Sequence, residues 1–246
     1  MKADLAKQWR MLDLQALDTR LTQLAHKKRT LPVLAEIEKA TKQQDELFEE
    51  VVLARTAAQD VEREITKAED AVQLVRDRAA RNQQRLDAGQ GSPKDLQGMQ
   101  HELQTLARRQ AELEDEEIAV MERAEELRAV LARREAQKAE LDEKIVSLAN
   151  DRDQAIAEID EESNSVAAQR DQIAPGLGTD LLGLYEKVRE QCGGLAAAAL
   201  TQRRCGGCGL ELNATELAKF KNAPEDEILR CEDCRRIVVR TSESGL

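Results

Sequence analysis

Along most of this chain, apolar residues return at alternating steps of three and four. One series runs from Val33 through Ile37, Ala40, Gln44, Leu47, Val51, Ala54, Ala58, Val61, Ile65, Ala68, Val72, Val75, Ala79 and Asn82 to Leu86. A second begins at Leu96 and Met99, continues through Leu103, Leu106, Gln110, Leu113, Glu117, Val120, Ala124, Leu127, Leu131, Arg134 and Lys138, and reaches Ile173 by way of Leu141, Ile145, Leu148, Arg152, Ala155, Ile159, Glu162, Val166 and Gln169. A seven-residue repeat held for that long predicts two long helices, each with a narrow apolar seam, wound in a left-handed supercoil. The first seam is rich in alanine and valine, so the helix backbones can approach closely. Its polar members and those of the second arm, Gln110, Glu117, Arg134, Lys138 and Arg152 among them, are expected to set register or to lay their stems along the edge of a thin interface.

Between the arms, residues 88–95 hold two glycines and a proline, and Ser92 before Pro93 is a good helix start. A short loop between two long seams makes antiparallel neighbours. The alternative is a parallel dimer of uninterrupted coils, against which stand the breaker and the matched arm lengths. With the tip at 89–94, residues whose numbers sum to about 183 should face each other, a register drawn from antiparallel pairing. The remainder of the second arm then needs a further partner. The opening helix supplies one, with Leu14, Leu17, Leu21, Leu24 and Leu31 as its seam. The register shifts across Pro32, which predicts a kink or short break there.

Composition agrees with thin helical packing. Aromatic residues make up 2% of the chain and charged residues 35%, so a thick globular core is not expected, yet 41% apolar residues is too many for a disordered polyelectrolyte. The formal net charge of −11 repels a phosphate backbone. Lys2, Asp4, Lys7 and Arg10 leave the start of the sequence without the apolar core of a signal peptide, and no run approaches the length of a membrane span. A reducing, cytoplasmic setting is expected, in which cysteines serve as metal ligands or free thiols before disulfides.

Four of the five cysteines form two C-x-x-C pairs, Cys205 with Cys208 and Cys231 with Cys234. Each pair predicts a knuckle presenting two thiolates to one side, and two knuckles complete the tetrahedral four-sulfur shell that Zn²⁺ favours. One structural zinc is expected. Four thiolates leave no open position for catalysis, and the pairs lack the βαβ surroundings of a redox motif. Cys192 falls outside the pattern and reads as a spare thiol. Ile228–Arg230 and Ile237–Arg240 flank the second knuckle as strands would. Gly209 after the first knuckle suits a left-handed backbone, whereas Arg235 in the equivalent place should cost about 1 kcal/mol.

The expected architecture is therefore mainly α: a long antiparallel coiled-coil hairpin over 1–174, a connecting helix and linker over 175–202, and a small four-cysteine zinc ribbon with short β-strands over 203–246. Thr179 is expected to cap the connecting helix, with Leu181, Leu184, Tyr185 and Val188 packing on the hairpin base or the ribbon.

The ordered set Ser92-Pro93-Lys94-Asp95-Leu96, His101-Glu102-Leu103, Leu113-Glu114-Asp115-Glu116, Met121-Glu122, Leu184-Tyr185-Glu186-Lys187-Val188-Arg189 and the twin knuckles resembles the bacterial proteins with an N-terminal coiled-coil hairpin and a C-terminal C4-type zinc ribbon. The resemblance spans essentially the whole chain. It implies a non-enzymatic adaptor or chaperone. Some relatives bind an alternative sigma factor, and some are tied to flagellar or type III export and to messenger RNA. The four zinc ligands carry over by position. Where Arg235 stands the family commonly has glycine, a departure that bears on the shape of that knuckle.

The leading functional expectation is binding of other proteins, in the transcription or secretion machinery, with no membrane partner and no small-molecule substrate. The alternative is nucleic-acid binding through the ribbon arginines Arg203, Arg204, Arg230, Arg235, Arg236 and Arg240. Against that alternative, the zinc thiolates add negative charge at the same place and no aromatics are interleaved for stacking. The acidic run Asp151, Asp153, Glu158, Asp160, Glu161 and Glu162 is a candidate face for a basic protein partner. An enzyme is not expected, because no acid, base and nucleophile are grouped along the chain, and His26 and His101 lie in helical arms.

Overall fold

Helix α1 (Leu5–Arg29) begins where the side chain of Asp4 accepts the backbone N–H of Lys7 at 2.8 Å, a side-chain N-cap. It ends at Thr30 after Lys27, Lys28 and Arg29, whose charges suit the negative end of the helix dipole. Pro32 then opens α2 (Pro32–Asp87), at the first helical position, where its missing N–H costs nothing. The break expected near Pro32 is thus a two-residue interruption. Gly89 and Gly91, with φ of 63° and 139°, turn the chain toward α3 (Pro93–Ile173). Ser92 and Asp95 cap α3 reciprocally: the carboxylate accepts the Ser92 N–H at 2.9 Å, and the hydroxyl accepts the Asp95 N–H at 3.4 Å. The Ser92 side-chain and backbone bonds hold the Asp95 carboxyl below its ordinary range.

The computed structural model describes residues 1–246, which form two compact units, Ala35–Ala149 and Met1–Leu34 with Asn150–Leu246. In the first unit α2 and α3 run antiparallel. Every seam position of α2 and α3 named above that falls in this unit is buried or half-buried; beyond it, Gln169 is the exposed member of the α3 series. Full burial is reached at Ala40, Val51, Ala58, Val61, Val72, Leu113 and Ala124. Ion pairs flank the seam: Arg55–Glu135 and Arg76–Glu114 at 2.6 Å, Arg134–Glu50 at 3.1 Å, and Arg78–Glu102. Their residue numbers sum to 180–190, around the expected 183. Within the seam, Gln44 donates to Asp142 at 2.5 Å and Lys138 to the same carboxylate at 2.6 Å, fixing the register with a polar contact that a one-residue slip would break.

The other unit is thicker. Leu24 of α1 and Leu31 of the break after it pack with Ile159 and Val166 of α3. After a 3₁₀ turn (Ala174–Leu177), α4 (Thr179–Gln191) buries Leu181, Tyr185 and Val188. Its N-cap is Gly178, at a φ of 81° that suits glycine, so Thr179 is the first helical residue and not the expected cap, and no side chain caps the helix. Next come β1 (Ala197–Thr201), β2 (Arg204–Cys205), α5 (Ala214–Asn222), β3 (Leu229–Arg230) and β4 (Ile237–Val239), with sheet order β2-β1-β4-β3. Strand β1 lies in the stretch expected as linker. It pairs in parallel with β4, Ala197 opposite Ile237, so the sheet of the ribbon starts before residue 203.

The sheet has two covered faces. Ala197, Ile237 and Val239 pack with Met11, Leu14, Ala174, Leu177, Leu181, Tyr185 and Val188, while Leu200 and Val238 turn toward Leu212, Phe220, Leu229 and the cysteines. That period-two division explains why β4 is apolar at three successive positions. Met1, Lys2 and Ala3 bond along the segment before β3: Ala3 N–H donates to Asp226 and Ile228 N–H to Met1.

Candidate metal centre

The two knuckles are built alike. In the first, the Cys205 N–H donates to the Leu210 carbonyl at 2.9 Å and Gly209 N–H returns to the Cys205 carbonyl at 2.8 Å. In the second, Cys231 N–H donates to Arg236 at 3.0 Å and Arg235 N–H to Cys231 at 2.9 Å. The turn needs a left-handed residue in the same place each time, and Gly209 (φ 77°) and Arg235 (φ 61°) both adopt it. Arginine is a strained occupant of that conformation. Its carbonyl accepts the Arg230 Nε–H at 2.7 Å, which helps hold the conformation.

The glycines of Cys205-Gly206-Gly207-Cys208 answer to crowding. A Cβ at Gly206 would stand 2.7 Å from the Ala199 carbonyl oxygen of β1, and one at Gly207 would stand 2.7 Å from Cδ of Arg236. Arg236 fills that space because its guanidinium donates to Gly207 at 3.0 Å, Leu195 at 3.0 Å and Cys192 at 3.1 Å, tying the first knuckle to the end of α4.

The Sγ atoms of Cys205, Cys208, Cys231 and Cys234 lie within 4.8 Å of one another. Those of Cys205 and Cys234 are 3.8 Å apart, and those of Cys208 and Cys231 are 4.0 Å apart. Four sulfurs placed about 2.3 Å from a zinc ion form a tetrahedron with edges of about 3.8 Å, so the residues fit that ion. Burial pushes the Cys231 thiol up to about 12 and raises Cys205 as well. At Cys234 burial acts the same way but is outweighed by hydrogen bonds from the Arg236 backbone and the neighbouring thiols, so its thiol is lowered. Cys192 stands aside, its thiol donating to the Cys234 carbonyl at 3.6 Å.

Over residues 14–193 the sequence matches the CT398-like coiled coil hairpin domain. The chain belongs to that family. Residues 204–238 match the C4-type zinc ribbon domain, so this CT398-like protein carries both parts that the motifs implied. An uncharacterized protein of Mycobacterium tuberculosis, Rv2229c, is 36% identical over 240 residues, 98% of each chain. A solved structure from Mycobacterium smegmatis is similar at 32% identity with a TM-score of 0.88, covering 98% of this chain and 100% of that one. CT398 of Chlamydia trachomatis shares the fold at 17% identity with a TM-score of 0.67, covering 96% and 98%.

Several contributors escaped the sequence reading. The turn between β1 and β2 places Gln202 and Arg203 at φ 50° and 66°, without the glycine or asparagine that marks such hairpins. Their N–H groups donate to Glu243 and Ser244 at 2.8 and 2.9 Å. Helix α5 was announced only by Asn213 and Glu216 at cap spacing, with Leu217 and Phe220 behind them. A polar hub was missed entirely. Asp18, fully buried, accepts from Arg170 at 2.7 Å and from the Tyr185 hydroxyl at 2.7 Å, with Arg189 at 3.3 Å. Gln15 accepts the Ala196 N–H beside it at 2.6 Å. The Asp18 bond raises Arg170, and burial followed by the Asp18 bond raises Tyr185.

The candidate interaction groups are largely engaged within the chain. Arg240 donates to the carbonyls of Phe220, Ala223, Pro224 and Glu225, Arg203 to Gly245, and Arg204 to Gly209. In the acidic run, Asp160 pairs with Lys28 at 2.7 Å and Glu162 pairs with Arg20, so part of that face serves α1. Across the chain, no helix is long and apolar enough to cross a membrane.

Proposed function

We propose that this chain is a non-enzymatic adaptor that binds other proteins in the cytoplasm and is shaped by a single structural zinc ion on Cys205, Cys208, Cys231 and Cys234. The observation that carries the metal assignment is the pair of sulfur separations near a tetrahedral edge. A shell of four thiolates leaves no position for water or substrate, so the ion's chemistry here is to close two knuckles into one fold.

Two features support protein over nucleic acid as the partner. Arg236, Arg240 and Arg203 direct guanidinium N–H groups to backbone carbonyls, which leaves fewer donors for phosphates. Apolar side chains lie open in pairs a turn apart, Phe48 with Val52 on α2 and Ile118 with Met121 on α3. Capture experiments with the full chain, run with and without nuclease, test the reading. Protein partners retained after nuclease and weakened by Phe48→Ala with Val52→Ala support it. Loss of every partner on nuclease treatment transfers the role to nucleic acid.

A further inference from the structure

The two knuckles differ at one backbone position. In the first, the residue after the leading cysteine, Gly206, donates its N–H to the Ala199 carbonyl of β1 at 3.0 Å. The equivalent residue of the second knuckle, Glu232, donates its N–H to a side chain instead, Oε1 of Glu216 on α5, also at 3.0 Å. We infer that Glu216 is a positioning residue for the metal centre, its carboxylate doing for the second knuckle what the β1 carbonyl does for the first.

The burial of Glu216 argues for this role. The residue is 2% exposed, and a carboxylate is costly to bury unless its oxygens find donors. Capping α5 does not require it there, because the Asn213 side chain already accepts the Glu216 N–H at 2.9 Å. In an ordinary capping box the third-position glutamate reaches back to the N-cap backbone N–H. Here Oε1 reaches forward to take the knuckle N–H, and Oε2 takes the side-chain amide of Asn213 at 3.3 Å. The Lys219–Glu232 pair at 3.3 Å also links α5 to the knuckle, but both side chains are exposed, which leaves Glu216 as the buried tie. Groups outside the ligand shell that orient metal ligands commonly change metal retention by roughly 10–100-fold when removed.

The inference rests on the zinc reading above, and one experiment separates the two. Full-length wild-type chain, Glu216→Ala, Glu216→Gln and Asn213→Ala are loaded with zinc, and the rate of zinc transfer to a chromogenic chelator is measured beside hydrogen exchange at the Glu232 amide. The alanine variant is expected to release zinc roughly 10–100-fold faster and to lose protection at Glu232. Glutamine keeps an acceptor oxygen and stays near wild type. Asn213→Ala loosens the start of α5 but leaves Glu232 protected and zinc release slow. Wild-type release from Glu216→Ala, or equal acceleration by Asn213→Ala, overturns the inference while leaving the zinc reading intact. A wild-type chain without zinc overturns both. Should Glu216→Ala fail to fold, the wild-type amides decide: Glu232 protected as well as Gly206 supports the brace, and free exchange at Glu232 refutes it.

Discussion

The unit formed by residues 35–149 and the unit formed by residues 1–34 and 150–246 are stabilised by different means. The first is two helices deep, with a seam of small aliphatic side chains and arginine–glutamate pairs that are largely in solvent. The second fully buries the large side chains of Tyr185 and Phe220 around a four-stranded sheet and places a fully buried Asp18 among Arg170, Arg189 and Tyr185. A periodic seam distributes stability in small increments. A layered core with a buried polar hub and a cluster of four cysteines concentrates it in a few groups, and the two should respond very differently to single changes.

Removing the metal should produce the largest contrast. Chelation under reducing conditions is expected to abolish hydrogen-exchange protection in β1, β4 and both knuckles, because a shell of this kind contributes on the order of 10 kcal/mol to folding. Helical exchange protection within 35–149 should survive. Second in size is the hub. Arg170→Ala leaves the Asp18 carboxylate buried with less compensation, and a loss of about 3–5 kcal/mol is expected in denaturant unfolding followed by fluorescence of Trp9, the single tryptophan, whose indole donates to the Arg240 carbonyl at 3.1 Å. Tyr185→Phe removes one buried bond to the same carboxylate and should cost about 1–3 kcal/mol by the same probe. Smallest is the flanking pair of the seam. Arg55→Ala should change stability by less than about 1 kcal/mol, read by circular dichroism, since both partners are about half exposed.

The same difference decides what could be read from sequence. Along α2 and α3 the partner of each seam residue follows from one loop and one repeat, so Val51, Val61 and Leu113 were legible as buried and the Ser92–Pro93 start as a cap. The knuckles were legible for a similar reason: their chemistry is local, down to the left-handed Arg235. Strand β1 was not, because Ala197–Thr201 has no alternation of its own and acquires its identity by pairing with β4. Gln15 and Asp18 lie beside the leucine seam of α1, and only the tertiary approach of α4 and Ala196 makes them a hub. Glu216 was not legible as part of the site, because only the tertiary fold brings the Glu232 N–H against its carboxylate.

The central claim, that one zinc ion on four thiolates organises the ribbon, is tested most directly by metal analysis of the full chain purified without added metal. The account predicts one zinc per wild-type chain, retained in Cys192→Ser and lost in Cys208→Ser and Cys231→Ser. A wild-type chain with far less than one zinc, or a Cys192→Ser chain that loses it as readily as Cys208→Ser, would contradict the account.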